Sequence, residues 1–176
     1  MDSALATLIL TTAVLFGVLT FADSYFTTQD QLWQARSLME LQEEERSTTA
    51  LEFRQSNVTA AGALVELTFR NVGSSKIADF DQWDLIIQHY NVLGDYTVQW
   101  LPYTTGLDPG INQWVVAGIY LSAAEGTAEL YEPAILHPGE EIVIQARLVP
   151  PIGPSTTNLA TLAVASGNHQ SVFFTR

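Results

Sequence analysis

Uncharged residues run without a break from Ala4 to Ala22, with no proline among them. At about 1.5 Å per residue the run predicts a helix of roughly 28 Å, the thickness of a bilayer core. It is apolar all round, which a helix half-exposed on a soluble domain would not be. It must be buried, either in lipid or in a bundle of copies of itself. Gly17 would allow close helix approach or a slight bend.

The helical signal continues from Asp23 to Thr48, which contains neither Gly nor Pro. Tyr25, Leu32, Ala35 and Met39, then Leu38 and Leu41, recur at spacings of three, four and seven. Gln29, Asp30, Arg36, Glu40, Glu43, Glu44 and Glu45 are expected on the opposite face. The pattern reads as an amphipathic extension, giving one continuous rod of ~70 Å. A surface helix lying on its own domain is the bland alternative. The fully apolar helix just upstream favours the rod.

From Thr48 the texture changes. Short β-prone runs alternate with turn signals: Ala50–Arg54, Ala63–Asn71, Trp83–Tyr90, Tyr96–Leu101, Gln113–Leu121, Ala128–Leu130, Glu141–Leu148, Leu159–Ala165 and Ser171–Thr175. Val65, Leu67 and Phe69 alternate with Glu66, Thr68 and Arg70, the mark of a strand with one wet face. Ile142, Ile144 and Ala146 alternate with Val143, Gln145 and Arg147 in the same way. Turns are expected at Val72-Gly73-Ser74-Ser75, Leu93-Gly94-Asp95, Asp108-Pro109-Gly110, His137-Pro138-Gly139 and around Gly153. The connections are too short for crossovers, so the pairing should be antiparallel. The predicted fold is a long N-terminal α-helix, residues 1–48, followed by an all-β immunoglobulin-like sandwich head, residues 49–176.

Composition narrows the function. The net charge is −12, with only seven basic residues among 176. Nothing would neutralise phosphates, so nucleic acid is not an expected partner. With no cysteine, thiolate nucleophiles, thiolate metal sites and disulfides are excluded. A secretory signal would have a basic n-region, yet the start holds only Asp2; the apolar run is expected to be retained. A lone membrane anchor would carry basic flanks, yet the first Arg is Arg36. That gap favours a bundle.

Catalytic chemistry has little to stand on. His89, His137 and His169 lack metal-ligand spacing, and neither H-E-x-x-H, G-x-S-x-G nor a nucleotide-binding loop occurs. No metal or cofactor is expected, and the chain is not expected to be an enzyme. Asp79, Asp81 and Asp84 could offer oxygens to calcium, but a solvated turn whose acids cap backbone amides is the simpler expectation. Trp83, Trp100 and Trp114 are expected in core or rim packing rather than as a carbohydrate platform. Asn57-Val58-Thr59 is an N-glycosylation triplet, expected in the turn after the first strand. The Ser/Thr-rich turns at 103–105 and 155–157 are candidates for O-linked sugars.

An apolar helix continuing as a rod into an all-β head resembles the layout of type IV pilin-like proteins. With an immunoglobulin-like head it looks like an archaellin, the subunit of the archaeal-type swimming filament. Leu67-Thr68-Phe69-Arg70-Asn71-Val72-Gly73-Ser74-Ser75-Lys76-Ile77 resembles a strand-and-turn element of archaellins and of the stator proteins of that machine. Leu136-His137-Pro138-Gly139-Glu140-Glu141-Ile142-Val143-Ile144 resembles a strand entry in the same heads. Bacterial pilins carry an acid at the fifth mature position, where this chain has Leu5; the archaellum type does not depend on that acid. The family's proteins are made with a short basic leader cut just before the apolar run.

The resemblance implies a glycosylated structural subunit of an extracellular filament for motility, held in the membrane before assembly and driven by a separate motor. The implied partner is a helical homo-oligomer. Leu5, Leu8, Leu10, Val14, Leu15, Val18, Leu19, Phe21, Tyr25, Leu32, Trp33, Leu38 and Met39 would pack the filament core by van der Waals contact. The alternatives are an adhesive type IV pilus pilin, or a membrane-tethered stator or minor pilin whose sandwich binds a surface layer. A membrane-anchored binding or enzymatic domain is a third class, for which no ligand constellation is visible.

Overall fold

The computed structural model describes the backbone of residues 2–129, 131–132 and 134–176, and their side chains except at 2, 4–6, 42 and 45. Contacts divide the chain into two compact units, Met1–Glu44 and Glu45–Arg176. The sequence put that boundary at 48/49. The last helical turn therefore counts with the head.

The described residues of the first unit are all helical. Helix α1, Asp2–Thr48, runs without interruption through Gly17 and through the change from apolar to charged sequence. Its 47 residues make it about 70 Å long. The expected segregation into faces is not found. At about 100° per residue, Leu38 and Leu41 project some 140–160° from Tyr25, while Arg36 and Glu43 fall within about 20° of it. The seven-residue recurrence Val18, Tyr25, Leu32, Met39 is one row among several. The helix is thus apolar on every side over residues 4–22, and beyond Ala22 its apolar side chains are spread around it among charged ones.

The second unit is an antiparallel sandwich. Its strands are β1 Leu51–Thr59, β2 Leu64–Asn71, β3 Asp84–Tyr90, β4 Tyr96–Leu101, β5 Gln113–Ser122, β6 Thr127–Ala128, β7 Glu141–Arg147, β8 Thr157–Ala163 and β9 His169–Thr175. One sheet has the order β1-β2-β7-β5-β6, the other β4-β3-β8-β9. This matches the two-sheet order of an immunoglobulin-type sandwich, with extra strands at the edges. Each predicted run overlaps a strand, the run Ala128–Leu130 meeting β6 only at Ala128, with Leu130 outside the described residues.

The core forms where the alternation predicted it. Val65, Leu67 and Phe69 of β2 and Ile142, Ile144 and Ala146 of β7 face Leu85 and Ile87 of β3, Ala160 and Leu162 of β8, and Val172 and Phe174 of β9. Trp83 and Trp114 are buried with them. The expected wet face of β2 and β7 is partly dry: Thr68 and Val143, paired across the two strands, are also buried. Gly118 of β5 lies beside Val143, and the Tyr120 ring folds over that glycine. A side chain at 118 would meet that ring at 2.8–3.0 Å.

The first strand is longer than expected. It continues past an irregularity between Phe53 and Gln55, and Asn57 pairs with Glu66. Asn57 is therefore within an edge strand, not in a turn. The turn falls at Ala60–Gly62, where Ala60, Ala61 and Gly62 all have positive φ. A Cβ at Gly62 would lie 2.2 Å from the Ile152 carbonyl oxygen, so only glycine fits.

Candidate assembly surface

The feature that demands an explanation is α1. Of the predicted packing residues, Leu8, Leu10, Val14, Leu15, Val18, Leu19, Phe21, Tyr25, Leu32, Trp33, Leu38 and Met39 are all exposed, from 56% at Leu32 to 79% at Phe21. The Leu5 side chain lies outside the described residues. Ile9, Phe16, Phe26 and Leu41 are equally exposed and belong with them, though the sequence reading left them out of the packing set. The sequence signal for Ile9 and Phe16 was the all-round apolarity itself, which leaves no side without a partner. Mean hydropathy reaches 1.7 in the most apolar part, so by length and composition this helix can cross a membrane.

Its polar side chains are adapted to burial. Thr7, Thr11, Thr12 and Thr20 each donate the hydroxyl to the carbonyl four residues back, at 2.6–2.8 Å. Thr27 and Thr28 do the same at 2.9 and 2.8 Å. A hydroxyl satisfied within its own helix loses no water bond on entering an apolar surround. Gly17 lies mid-helix, where glycine is unfavourable by about 1 kcal/mol relative to alanine. Nothing within 4 Å would meet a side chain there, so nothing inside the subunit requires glycine.

The two sequence elements that carry the family resemblance converge in the head. Ile77 and Leu136 form a two-way backbone bridge at 2.8–3.0 Å. The buried Asn71 side chain donates to the Ser75 carbonyl at 2.8 Å and the Leu136 carbonyl at 3.1 Å, and accepts from Gly73 N at 3.0 Å. The Gly139 amide donates to the Asn71 carbonyl at 2.7 Å. Glu140 folds its carboxylate onto the His137 amide at 2.8 Å. This knot grips the end of α1. Ser74 and Ser75 amides donate to the Thr48 carbonyl, and Ser75 Oγ donates to Thr48 Oγ1 at 2.7 Å. From the other side Asn168 Nδ2 donates to the carbonyls of Arg46 and Thr49, at 2.6 and 2.5 Å. Carbonyls that every helix leaves open at its C-terminus are thus closed by the head. A Cβ at Gly73 would stand 2.3 Å from the Thr48 oxygen, so the turn glycine is required by this approach.

The other candidates do not assemble into a chemical site. His89 is buried between the sheets, its Nε2 donating to the Pro150 carbonyl at 3.0 Å. Burial lowers its pKa below 6.5, partly opposed by that bond. His137 lies 2.7 Å from Glu132, which also takes Lys76 at 3.0 Å. The Lys76 bond and charge hold the exposed Glu132 carboxyl below its usual range. The expected capping by the acidic turn is not found: Asp79 makes no side-chain cap bond, and Asp84 accepts from Trp100 Nε1 at 2.8 Å. Trp83 and Trp114 are core, as expected, but Trp100 is 59% exposed, on the outer face of the second sheet. Val98 and Tyr96 are exposed along the same face of β4, and Phe173 is exposed on β9 at the other edge of the sheet. Asn57 is exposed on β1. Among the described residues no group of three or more His, Asp or Glu is placed to hold a metal.

A fully exposed apolar helix ending in an antiparallel sandwich defines a class: a subunit with a helix to bury and a head to display. By sequence the chain matches no protein-family model and no curated protein. By structure it has the fold of archaellum components. The archaellum periplasmic stator protein FlaG from Sulfolobus acidocaldarius matches 72% of this chain over 99% of its own, at 19% identity and a TM-score of 0.51. The archaeal flagellum of Methanospirillum hungatei matches 99% of this chain over 90% of its own, at 11% identity and a TM-score of 0.52.

Proposed function

We propose that this chain is the structural subunit of an extracellular archaellum-like filament serving motility. The observation that carries the reading is α1: 47 residues, with a first half apolar on every side, apolar side chains spread around the second half, six threonine hydroxyls bonded within the helix, and large apolar side chains exposed in the single subunit. Lipid can cover the apolar first half before assembly. Only neighbours of the same kind can cover Tyr25, Phe26, Leu32 and Trp33 as well, because these stand beyond the bilayer length and alternate with charged residues. Moving from lipid to bundle exchanges one apolar surround for another. Close packing of many small contacts then holds the assembly. A heterologous contact that does not close generates a filament. The likeness to the Methanospirillum filament over 99% of the chain supports helix and head acting together.

A stator or minor pilin role is the second reading, supported by the likeness to FlaG. It would use the same membrane-held helix with few copies, and the head as the binding part. An adhesive pilus subunit would share the assembly and differ in what the heads touch. The role is structural rather than catalytic, and a separate motor drives any movement. We place a glycan, if the filament is glycosylated, at Asn57, where the exposed side of an edge strand leaves room for it.

Leu15→Asp tests the packing. A carboxylate buried among apolar side chains is strongly disfavoured. The variant should keep the melting temperature of the head and lose filaments seen by electron microscopy. Normal filaments from it would overturn the reading.

A further inference from the structure

The charges of α1 are unevenly placed. Arg36 is the single Lys or Arg between residues 1 and 45. It is exposed, and among the described residues it makes no ion pair or hydrogen bond. Glu40, one turn further on, is not its partner; an acid C-terminal to the base is the weaker order for such a pair. Upstream, Asp23 and Asp30 stand seven residues apart, within about 20° of each other around the helix. Arg36 projects about 120° from Asp30 and about 140° from Asp23. Asp23 and Asp30 thus share a side on which no base stands, among Phe26 and Trp33, while Arg36 stands on another side, with Tyr25 and Leu32 and with Glu40 and Glu43 one and two turns further on.

We propose that Arg36 of one copy pairs with the aspartate side, Asp30 or Asp23, of a neighbouring copy's helix. This rests on the filament reading and deepens it. In a non-closing assembly each helix meets its neighbours through two different surfaces. Arg36 on one surface and Asp23 and Asp30, unpartnered among the described residues, on another fit that requirement. A carboxylate enclosed among apolar side chains is tolerated only with a counter-charge, and Arg36 is the single base between residues 1 and 45, so the pair selects one axial offset among the many that apolar packing alone permits. Pairing with Asp30 offsets the copies by about 9 Å along the helix, and pairing with Asp23 by about 20 Å.

Charge exchange in the full-length chain tests this, read as filament yield sheared from cells. Arg36→Asp should lower the yield at least tenfold while leaving the melting temperature of the head unchanged. Adding Asp30→Arg or Asp23→Arg to it should restore filaments, and the aspartate that restores them names the offset. Two results overturn the pairing: wild-type yield from Arg36→Asp, or failure of both exchanges to restore a lost yield. Absence of filaments from the wild-type chain would instead overturn the filament reading itself.

Discussion

Asn71 shows how much one buried amide can organise. It holds Ser75 and Leu136 carbonyls with its nitrogen and the Gly73 amide with its oxygen, so the turn after β2 and the entry to β7 are fixed together. Asn71→Ala leaves these groups without partners inside the head, a loss of about 1–3 kcal/mol for a buried unsatisfied group. The melting temperature of the head should fall by several degrees, read by circular dichroism. An unchanged melting temperature would mean water replaces the amide at no loss. The residue type and its turn were legible in the sequence as an N-x-G-S element. Its work was not, because the reason for Gly73 is the Thr48 carbonyl, 25 positions away. Local pattern reports that a turn is present. A close approach between distant backbones leaves no local trace. Trp100 fails for a similar reason: an aromatic in a strand reads as packing, and only pairing with Ile86 shows it to be on the outer face.

Among the elements, helix and strands were legible for different reasons. Absence of Gly and Pro over 23–48 and of charge over 4–22 leaves α-helix as the one conformation that satisfies its own backbone. The strand runs were bounded by turn residues, and β1 is where that logic slipped. Asn57 reads as a turn residue by propensity, yet pairing with β2 carries the strand on to Thr59. Amphipathicity of the rod also misread: spacings of three, four and seven are present, but Leu38 and Leu41 fall on the far side from Tyr25 while Arg36 and Glu43 fall beside it, so apolar and charged residues are mixed around the helix. The back-bonded threonines give the element its own prediction. Thr12→Val keeps the shape of the side chain and removes a hydroxyl already satisfied by Leu8 O at 2.8 Å. Filament yield should be within about twofold of wild type, since no intermolecular bond is lost. A collapse of yield would show that the hydroxyl bonds a neighbour instead.

At the scale of the whole molecule the two units answer different problems. The helix has more apolar surface than the subunit can cover, while the head is complete, with its own core between two sheets. Of the chain's net charge of −12, the head carries −7, with twelve acids and five bases over residues 49–176, so bare heads repel, over a range of about 8–10 Å at moderate salt. Assembly must therefore be driven from the helices, with the heads spaced or screened. The fold was legible at this scale from the abrupt change of texture at Thr48. The grip of the head on the last turn was not, since it joins residues 46–49 to positions 74–75 and 168. The measurement that tests the account most directly is electron microscopy of material sheared from the cell surface, with mass spectrometry of its main band. The account predicts filaments composed mainly of this chain, with the helices bundled at the centre. Recovery of the chain at low copy in the membrane fraction, with no such filament, would contradict it.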